Sequence, residues 1–395
     1  MTDRTIVPFA GGRKPMICSG RNAATGYFVS VEFGEVIGKV SPAEPAGDSG
    51  DYWIAPGLID IQVNGFGGVD FNRPDTPLAD IQRALELILS TGVTRCLPTV
   101  ITGPPGDMVA CLRNLARARS ELALGRAIAG FHVEGPHISP DDGPRGAHPL
   151  DSVRRPDLDE YRRWQDATGG AIRLITLSPH WPGAAEYIAA ITRDGVTASI
   201  GHTGATAEQI SRAADSGATL STHIGNAGHA LLPKHPNYIW DQLAEDRLSA
   251  SFIVDGIHLG AAFLRAALRA KTLSRAVLVT DASAPAGAAP GRYRLGRQEA
   301  DLTPDGRVVL AGTNRLAGSA LRMNDAVANV MRMAGVTLRE AIDMATINPA
   351  RIIRLEGRSH GIVAGERADL VVFRMETGIA VDAVYLDGER VGAGI

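Results

Sequence analysis

The sequence predicts an α/β protein, a (β/α)8 barrel with a small β module formed by its N- and C-terminal segments. Eight apolar segments of strand length follow Pro56, segments with helical spacing stand between them, and both chain ends carry short alternating β patterns bounded by turns. A length of 395 residues accommodates one large barrel and a smaller module.

The module is expected from 1–55 together with 358–395. Residues 27–40, "YFVSVEFGEVIGKV", alternate like a half-exposed strand, and "GIVAGERADLVVFRM" and "AVDAVYLDGERV" do the same near the other end. The barrel is expected over 56–357. Its strands read as "LIDIQV" (58–63), "VTRCLPTV" (93–100), "AIAGFHVE" (127–134), "IRLITLS" (172–178), "VTASIGH" (196–202), "ATLSTHI" (218–224), "LSASFIVD" (248–255) and "AVLVTD" (276–281). Between them, "LADIQRALELILSTG", "DMVACLRNLARARSEL", "AAEYIAAITRDG" and "AEQISRAADSG" place apolar residues three and four apart, and three of the four close on glycine. A β-hairpin excursion is expected near 291–312, where "LTPDGRV" supplies a Pro-Asp-Gly turn.

Composition narrows the function. Hydrophobic residues at 45%, charged residues at 21% and 45 glycines describe a globular chain with many tight turns. A formal net charge of −3 without a basic cluster gives no reason to expect nucleic acid or an anionic membrane as partner. No run approaches the ~20 apolar residues that span a bilayer, and "MTDRTIVPFAGGRKPM" lacks the apolar core of a secretory signal. Cys18, Cys96 and Cys111 form neither a disulfide framework nor a C-x-x-C pair, which suits a reducing, cytoplasmic setting. "NGFGGVDFN" matches neither G-x-G-x-x-G nor G-x-x-x-x-G-K-[ST], so nucleotide binding is not indicated.

In a barrel of this kind the strand C-terminal ends meet at one mouth, so polar residues there are the candidates for chemistry. Strand one ends with Gln62 and Asn64, strand three with His132 and Glu134, strand five with His202, strand six with His223 and strand eight with Asp281; His180 follows strand four, and Asp255 and His258 follow strand seven. A single histidine at a strand end is usually a hydrogen-bonded core residue. Glu134, His202 and His223 together supply one carboxylate and two imidazoles, the three-ligand set of a catalytic zinc that leaves a fourth position for water. Asp281 ends a buried strand without a neighbouring Lys or Arg, as a general base facing that water would. His148, in the loop "GPRGAHP", can reach the same mouth.

The segments "APGLIDIQVNGFGGVDFN", "GFHVEGPHIS", "GAHP", "IGHTGA", "STHIGNA", "IVDGIHL", "LVTDASAPAG" and "LAGSALRMNDAV" occur in the order in which the N-acetylglucosamine-6-phosphate deacetylases of the amidohydrolase superfamily carry them. The chain resembles that family over nearly the whole barrel. The resemblance implies hydrolysis of an amino-sugar acetamide to acetate and an amine, with a divalent ion on Glu134, His202 and His223 and with Asp281 activating the water. It further implies that His148 polarises the amide carbonyl, that His258 contacts the sugar, and that Gly135, Asn226, Ala227, Leu316, Ala317 and Gly318 line the sugar pocket. Members with His-x-His at strand one hold two metals. Gln62 and Asn64 are poor zinc ligands and imply one ion, with Gln62 hydrogen-bonding near the place of the second. A homodimer is expected on the same footing.

One departure concerns the substrate. The family usually carries a phosphate-clamping Arg in the loop after "TH…NA", but here "STHIGNAGHALLPKHPNYIWDQLAEDRL" has no Arg before Arg247, and Lys234 and His235 are the nearest basic groups. An unphosphorylated or differently substituted N-acyl amino sugar, or another small amide, is therefore the alternative substrate. A binuclear cyclic amidohydrolase would want a lysine at strand four, and "IRLITLS" has none. A catalytically silent barrel would have no chemical need of Glu134, His202, His223 and Asp281 together.

Overall fold

In the computed structural model the described residues are 15–45 and 50–392. The parts of the expected module at 1–14, 46–49 and 393–395, including most of the N-terminal stretch read for a secretory signal, lie outside them.

Eight parallel strands form the barrel. They run Leu58–Val63, Val93–Ile101, Phe131–Glu134, Ile172–Leu177, Thr197–Ile200, Ala218–Ser221, Ser249–Phe252 and Ala276–Leu278, each hydrogen-bonded to the next in chain order. Helices cover the outside and the barrel's own side chains fill the inside, which is why these strands read as nearly continuous apolar runs. Every residue of Leu58–Val63 is buried. The last strand meets the first at a Val63–Ala282 bridge, flanked by Asp281 N donating to Gln62 O at 3.0 Å and Asn64 N donating to Ala282 O at 2.7 Å. The seam of the barrel thus sets Gln62, Asn64 and Asp281 side by side.

The four helices read from spacing fold as Leu78–Ser90, Pro105–Glu121, Ala184–Arg193 and Ala207–Asp215. Gly92, Gly195 and Gly217 follow three of them at φ 87°, 84° and 108°, the left-handed backbone that glycine takes at a helix end without a Cβ clash. Thr206 and Gln209 close a reciprocal capping box at the start of Ala207–Asp215.

Both chain ends share one seven-stranded sheet, in the order Glu389–Gly392, Ile379–Leu386, Leu370–Met375, Tyr52–Pro56, Met16–Asn22, Phe28–Phe33, Ile37–Pro42. Val31, Phe33, Ile54, Leu370 and Val372 give it a core separate from that of the barrel. Arg95 on the second barrel strand is joined to it by a buried pair with Asp369, Nε to Oδ2 at 2.8 Å.

The excursion differs from the expected hairpin. It is a three-stranded antiparallel meander, Gly291–Leu295, Gln298–Leu302 and Val308–Leu310. Two turns were available, one at Gly296 and Arg297 and one at the Pro-Asp-Gly stretch ending in Gly306, with φ of 59° and 84° at the glycines. The third strand lets Leu295, Ala300, Leu302 and Val308 close a small core with Ala317. A two-stranded ribbon could not have buried them.

Candidate active site

The barrel mouth opens into a cavity of about 850 Å3. Glu134, His202, His223, His148, His258 and Asp281 all line it. Three strands therefore bring together residues that lie 68 and 21 positions apart in the chain, and the ligand atoms of Glu134, His202 and His223 fall within 4.8 Å of one another. His223 Nε2 is 3.0 Å and His202 Nε2 3.3 Å from Glu134 Oε1. Burial alone would raise the Glu134 carboxyl, but the two histidines outweigh it and hold the group well below the usual carboxylate range. His223 is raised in return, because Glu134 more than offsets its burial.

The donor set fits a divalent cation. His202 Nδ1 donates to Pro144 O at 2.9 Å, which leaves the Nε2 lone pair as the ligand atom. Among the described residues Glu134, His202 and His223 are the only group of three or more His, Cys, Asp or Glu placed to hold a metal.

Asp281 is held from the first strand. Asn64 Nδ2 donates to Asp281 Oδ1 at 2.7 Å and Gln62 Nε2 donates to the same oxygen at 3.1 Å, while Gln62 Nε2 also reaches Glu134 Oε1 at 2.8 Å. Two amide donors occupy one carboxylate oxygen, so Oδ2 is the atom left for a proton. Burial first, and the Glu134 carboxylate second, push Asp281 up to about 6. Asn64 Oδ1, buried on the cavity wall, has no hydrogen-bond partner among the described residues.

His148 Nδ1 lies 2.8 Å from Thr102 Oγ1, and its Nε2 is 3.9 Å from Glu134 Oε2. Burial, reinforced by His202, pushes it down to about 3, so it is a neutral imidazole near pH 7. The Thr102 hydroxyl can donate or accept, and when it donates to Nδ1 the His148 Nε2–H is presented to the cavity. Gly135 does not line the cavity; a Cβ there would stand 2.2 Å from Thr102 Oγ1, so glycine makes room for the threonine that orients His148. Gln62 does not line it either and acts from behind the carboxylates.

His258 Nδ1 donates to Asp255 Oδ2 at 2.6 Å, which fixes the orientation of the ring. Asn226, Ala227, Leu316, Ala317 and Gly318 complete the walls. Two histidines from the strand-end reading lie elsewhere. His132 is a core residue between Thr176 and Thr99, pushed down to about 4 by burial, and His180 bonds Ser178 Oγ outside the cavity.

Backbone strain marks the same residues. Four of the seven non-glycine residues with positive φ among the described ones are His202 (49°), His223 (28°), Ala227 (47°) and Asp281 (50°). Such conformations cost of order 1–3 kcal/mol each and persist where the surrounding fold imposes them. They also explain why the hydrogen-bonded strands stop short of the apolar segments. At these positions the chain leaves the ladder to turn a side chain into the mouth.

Spacing alone does not reveal the supporting groups. Thr102, the Pro144 carbonyl, Thr280 and Asp60 carry no motif; Asp60, buried beneath the seam, accepts from Thr280 Oγ1 at 2.5 Å and from Gln62 N at 3.2 Å. Burial, opposed by these hydrogen bonds, raises the Asp60 carboxyl to about 7. A carboxyl raised on folding contributes stability that is fully present below about pH 4 and is lost as the pH rises through 7. Asp60→Asn is therefore expected to flatten the dependence of the urea midpoint on pH between 4 and 7; an unchanged slope in that window would remove Asp60 as its source.

Known proteins place this arrangement. The model of the Amidohydrolase family matches residues 53–391. N-acetylglucosamine-6-phosphate deacetylase of Bos taurus is 36% identical over 362 residues, 88% of this chain and 86% of that protein. N-acetylgalactosamine-6-phosphate deacetylase of Escherichia coli O157:H7 is 32% identical over 338 residues, 85% of this chain and 87% of that one. A solved structure of N-acetyl-D-glucosamine-6-phosphate deacetylase from Mycobacterium smegmatis, a variant in complex with N-acetyl-D-glucosamine-6-phosphate, aligns with a TM-score of 0.87 at 30% identity, covering 96% of this chain and 100% of that chain. The chain belongs to the amidohydrolase family, on the branch that holds the N-acetylglucosamine-6-phosphate deacetylases.

Proposed function

We propose that this protein hydrolyses the acetamide of N-acetylglucosamine 6-phosphate, releasing acetate and glucosamine 6-phosphate. The observation that carries the reading is the convergence of Glu134, His202, His223 and Asp281 on one cavity, in a chain whose relatives over most of its length are deacetylases of such sugars. Glu134, His202 and His223 would hold one divalent ion, zinc by the chemistry of the donor set, and Gln62 and Asn64 are committed as hydrogen-bond donors to carboxylates. When bound, the ion acts as a Lewis acid on the reacting oxygens and makes water a stronger nucleophile at neutral pH.

The chain's own groups carry the protons. Asp281 takes one from the attacking water at Oδ2 as oxygen bonds to the acetyl carbon, and returns it to the amine nitrogen as the C–N bond breaks. His148, through Nε2–H, stabilises the negative charge that develops on the carbonyl oxygen. His258 Nε2 accepts from a sugar hydroxyl, and Leu316 to Gly318 with Ala227 supply the apolar wall. We further propose a homodimer, for which Leu231 and Trp240, both exposed in the stretch after Ala227, offer apolar surface, and a reducing compartment such as the cytoplasm, in keeping with three unpaired cysteines.

Acetate release from N-acetylglucosamine 6-phosphate, N-acetylgalactosamine 6-phosphate and plain N-acetylglucosamine by zinc-supplemented protein tests the reading. Turnover is expected to be highest with the first. No acetate from any of the three would reject deacetylation, and equal turnover of the plain sugar would reject phosphate recognition.

A further inference from the structure

A sugar phosphate needs a fixed counter-charge, and the loop after Ala227 places no Arg or Lys inside the cavity, only the His229 imidazole, whose Nδ1 lies 3.1 Å from Tyr238 Oη. Lys234 and His235 are exposed and do not line it, and Arg247 is engaged outside with Asp215 and Glu245. The cavity otherwise carries the carboxylates of Glu134, Asp281 and Asp142 and the imidazoles of His148, His202, His223, His229 and His258. Among the described residues that line it, Arg315 is the single Arg or Lys.

Arg315 comes from a different element, the stretch between the meander and the last barrel helices, immediately before Leu316 to Gly318. Its Nη1 donates to Gly146 O at 3.1 Å and its Nη2 to Asp142 Oδ1 at 2.6 Å. These two bonds orient the guanidinium and use two of its five N–H donors. Asp142 is 73% exposed, so water screens the pair and it does little to neutralise the arginine. The remaining donors suit a phosphate, which a planar guanidinium can grip through two oxygens at once.

We propose that Arg315, oriented by Asp142 and the Gly146 carbonyl, is the specificity-determining residue that recognises the anionic group of the substrate, from a wall of the cavity opposite in sequence to the arginine-free loop. This rests on the deacetylase reading above. Gly146 belongs to the loop that also supplies Pro144 to His202 and carries His148, so a purely bracing role for Arg315 would disturb every substrate alike.

The experiment compares kcat/KM for N-acetylglucosamine 6-phosphate and for N-acetylglucosamine in the zinc-loaded native protein, Arg315→Ala and Arg315→Lys. A charge-assisted contact predicts that Arg315→Ala lowers the ratio of the two constants by about 10- to 100-fold, chiefly through KM of the phosphorylated sugar, and that Arg315→Lys restores part of it. Equal losses on both sugars, or an unchanged ratio, overturn the assignment while leaving the deacetylase reading in place. A native protein that releases acetate from neither sugar overturns that reading itself.

Discussion

Asp281→Asn is expected to lower kcat for acetate release by about 10²- to 10⁴-fold, the range for loss of a positioned general acid–base, while zinc content stays near the native level. The variant isolates the proton role because it keeps the geometry. An asparagine Oδ1 can accept from both Asn64 Nδ2 and Gln62 Nε2, as the aspartate oxygen does. What it loses is an oxygen able to take a proton from water and return it to the amine. The ligand atoms on Glu134, His202 and His223 are untouched. Acetate release and metal analysis on the same preparation decide the matter: near-native turnover would remove Asp281 as the base, and loss of zinc along with turnover would make it a ligand instead.

Glu134→Gln is expected to have the opposite signature, with zinc and activity lost together. Its carboxylate is the one anionic member of the ligand set, and a neutral amide is a poor zinc ligand. The substitution also removes the charge that faces His202 and His223 in a buried site, so both imidazoles lose their shared partner. Zinc content after dialysis should fall below roughly a tenth of the native value. Thermal unfolding supplies a second readout: an ion that binds only the folded state stabilises it by about 4 kcal/mol at a thousand times its Kd. Added zinc should therefore raise the Tm of the chelator-treated native protein and leave that of Glu134→Gln unmoved. A variant that keeps its zinc would reject Glu134 as a ligand.

The barrel was legible in the sequence because a strand buried on both faces must be apolar throughout, and a helix packed on it must be apolar on one stripe. "LIDIQV" and "LADIQRALELILSTG" state both requirements within 35 residues. The meander was harder to read. "GRYRLGRQEADLTPDGRVVL" contains two turn signals, and choosing between two strands and three depended on Ala317, a residue beyond the segment that completes its core. Strand ends were harder still, since His202, His223 and Asp281 leave the ladder through positive φ angles that only the assembled mouth imposes.

Within the site, the candidates for ligand and proton-transfer roles follow from chemistry written locally: a carboxylate or an imidazole at the end of a buried strand has few other uses when several occur together. Their supports do not. Gln62 looked like a pocket residue and stands behind the carboxylates, Gly135 serves by making space for Thr102, and the one guanidinium that lines the cavity among the described residues comes from a stretch with no charge motif. The sequence by itself determined the barrel, the module at its ends and the residue types at the mouth, because burial and backbone pairing act on neighbours along the chain. Which oxygen of Asp281 stays free of the two amide donors, which nitrogen of His202 is held by the Pro144 carbonyl and which guanidinium of the described residues lines the cavity were decided by the closure of the first strand against the eighth and by loops packed over the mouth. Those contacts join residues as many as 219 positions apart, and no local pattern encodes a distance of 3 Å between them.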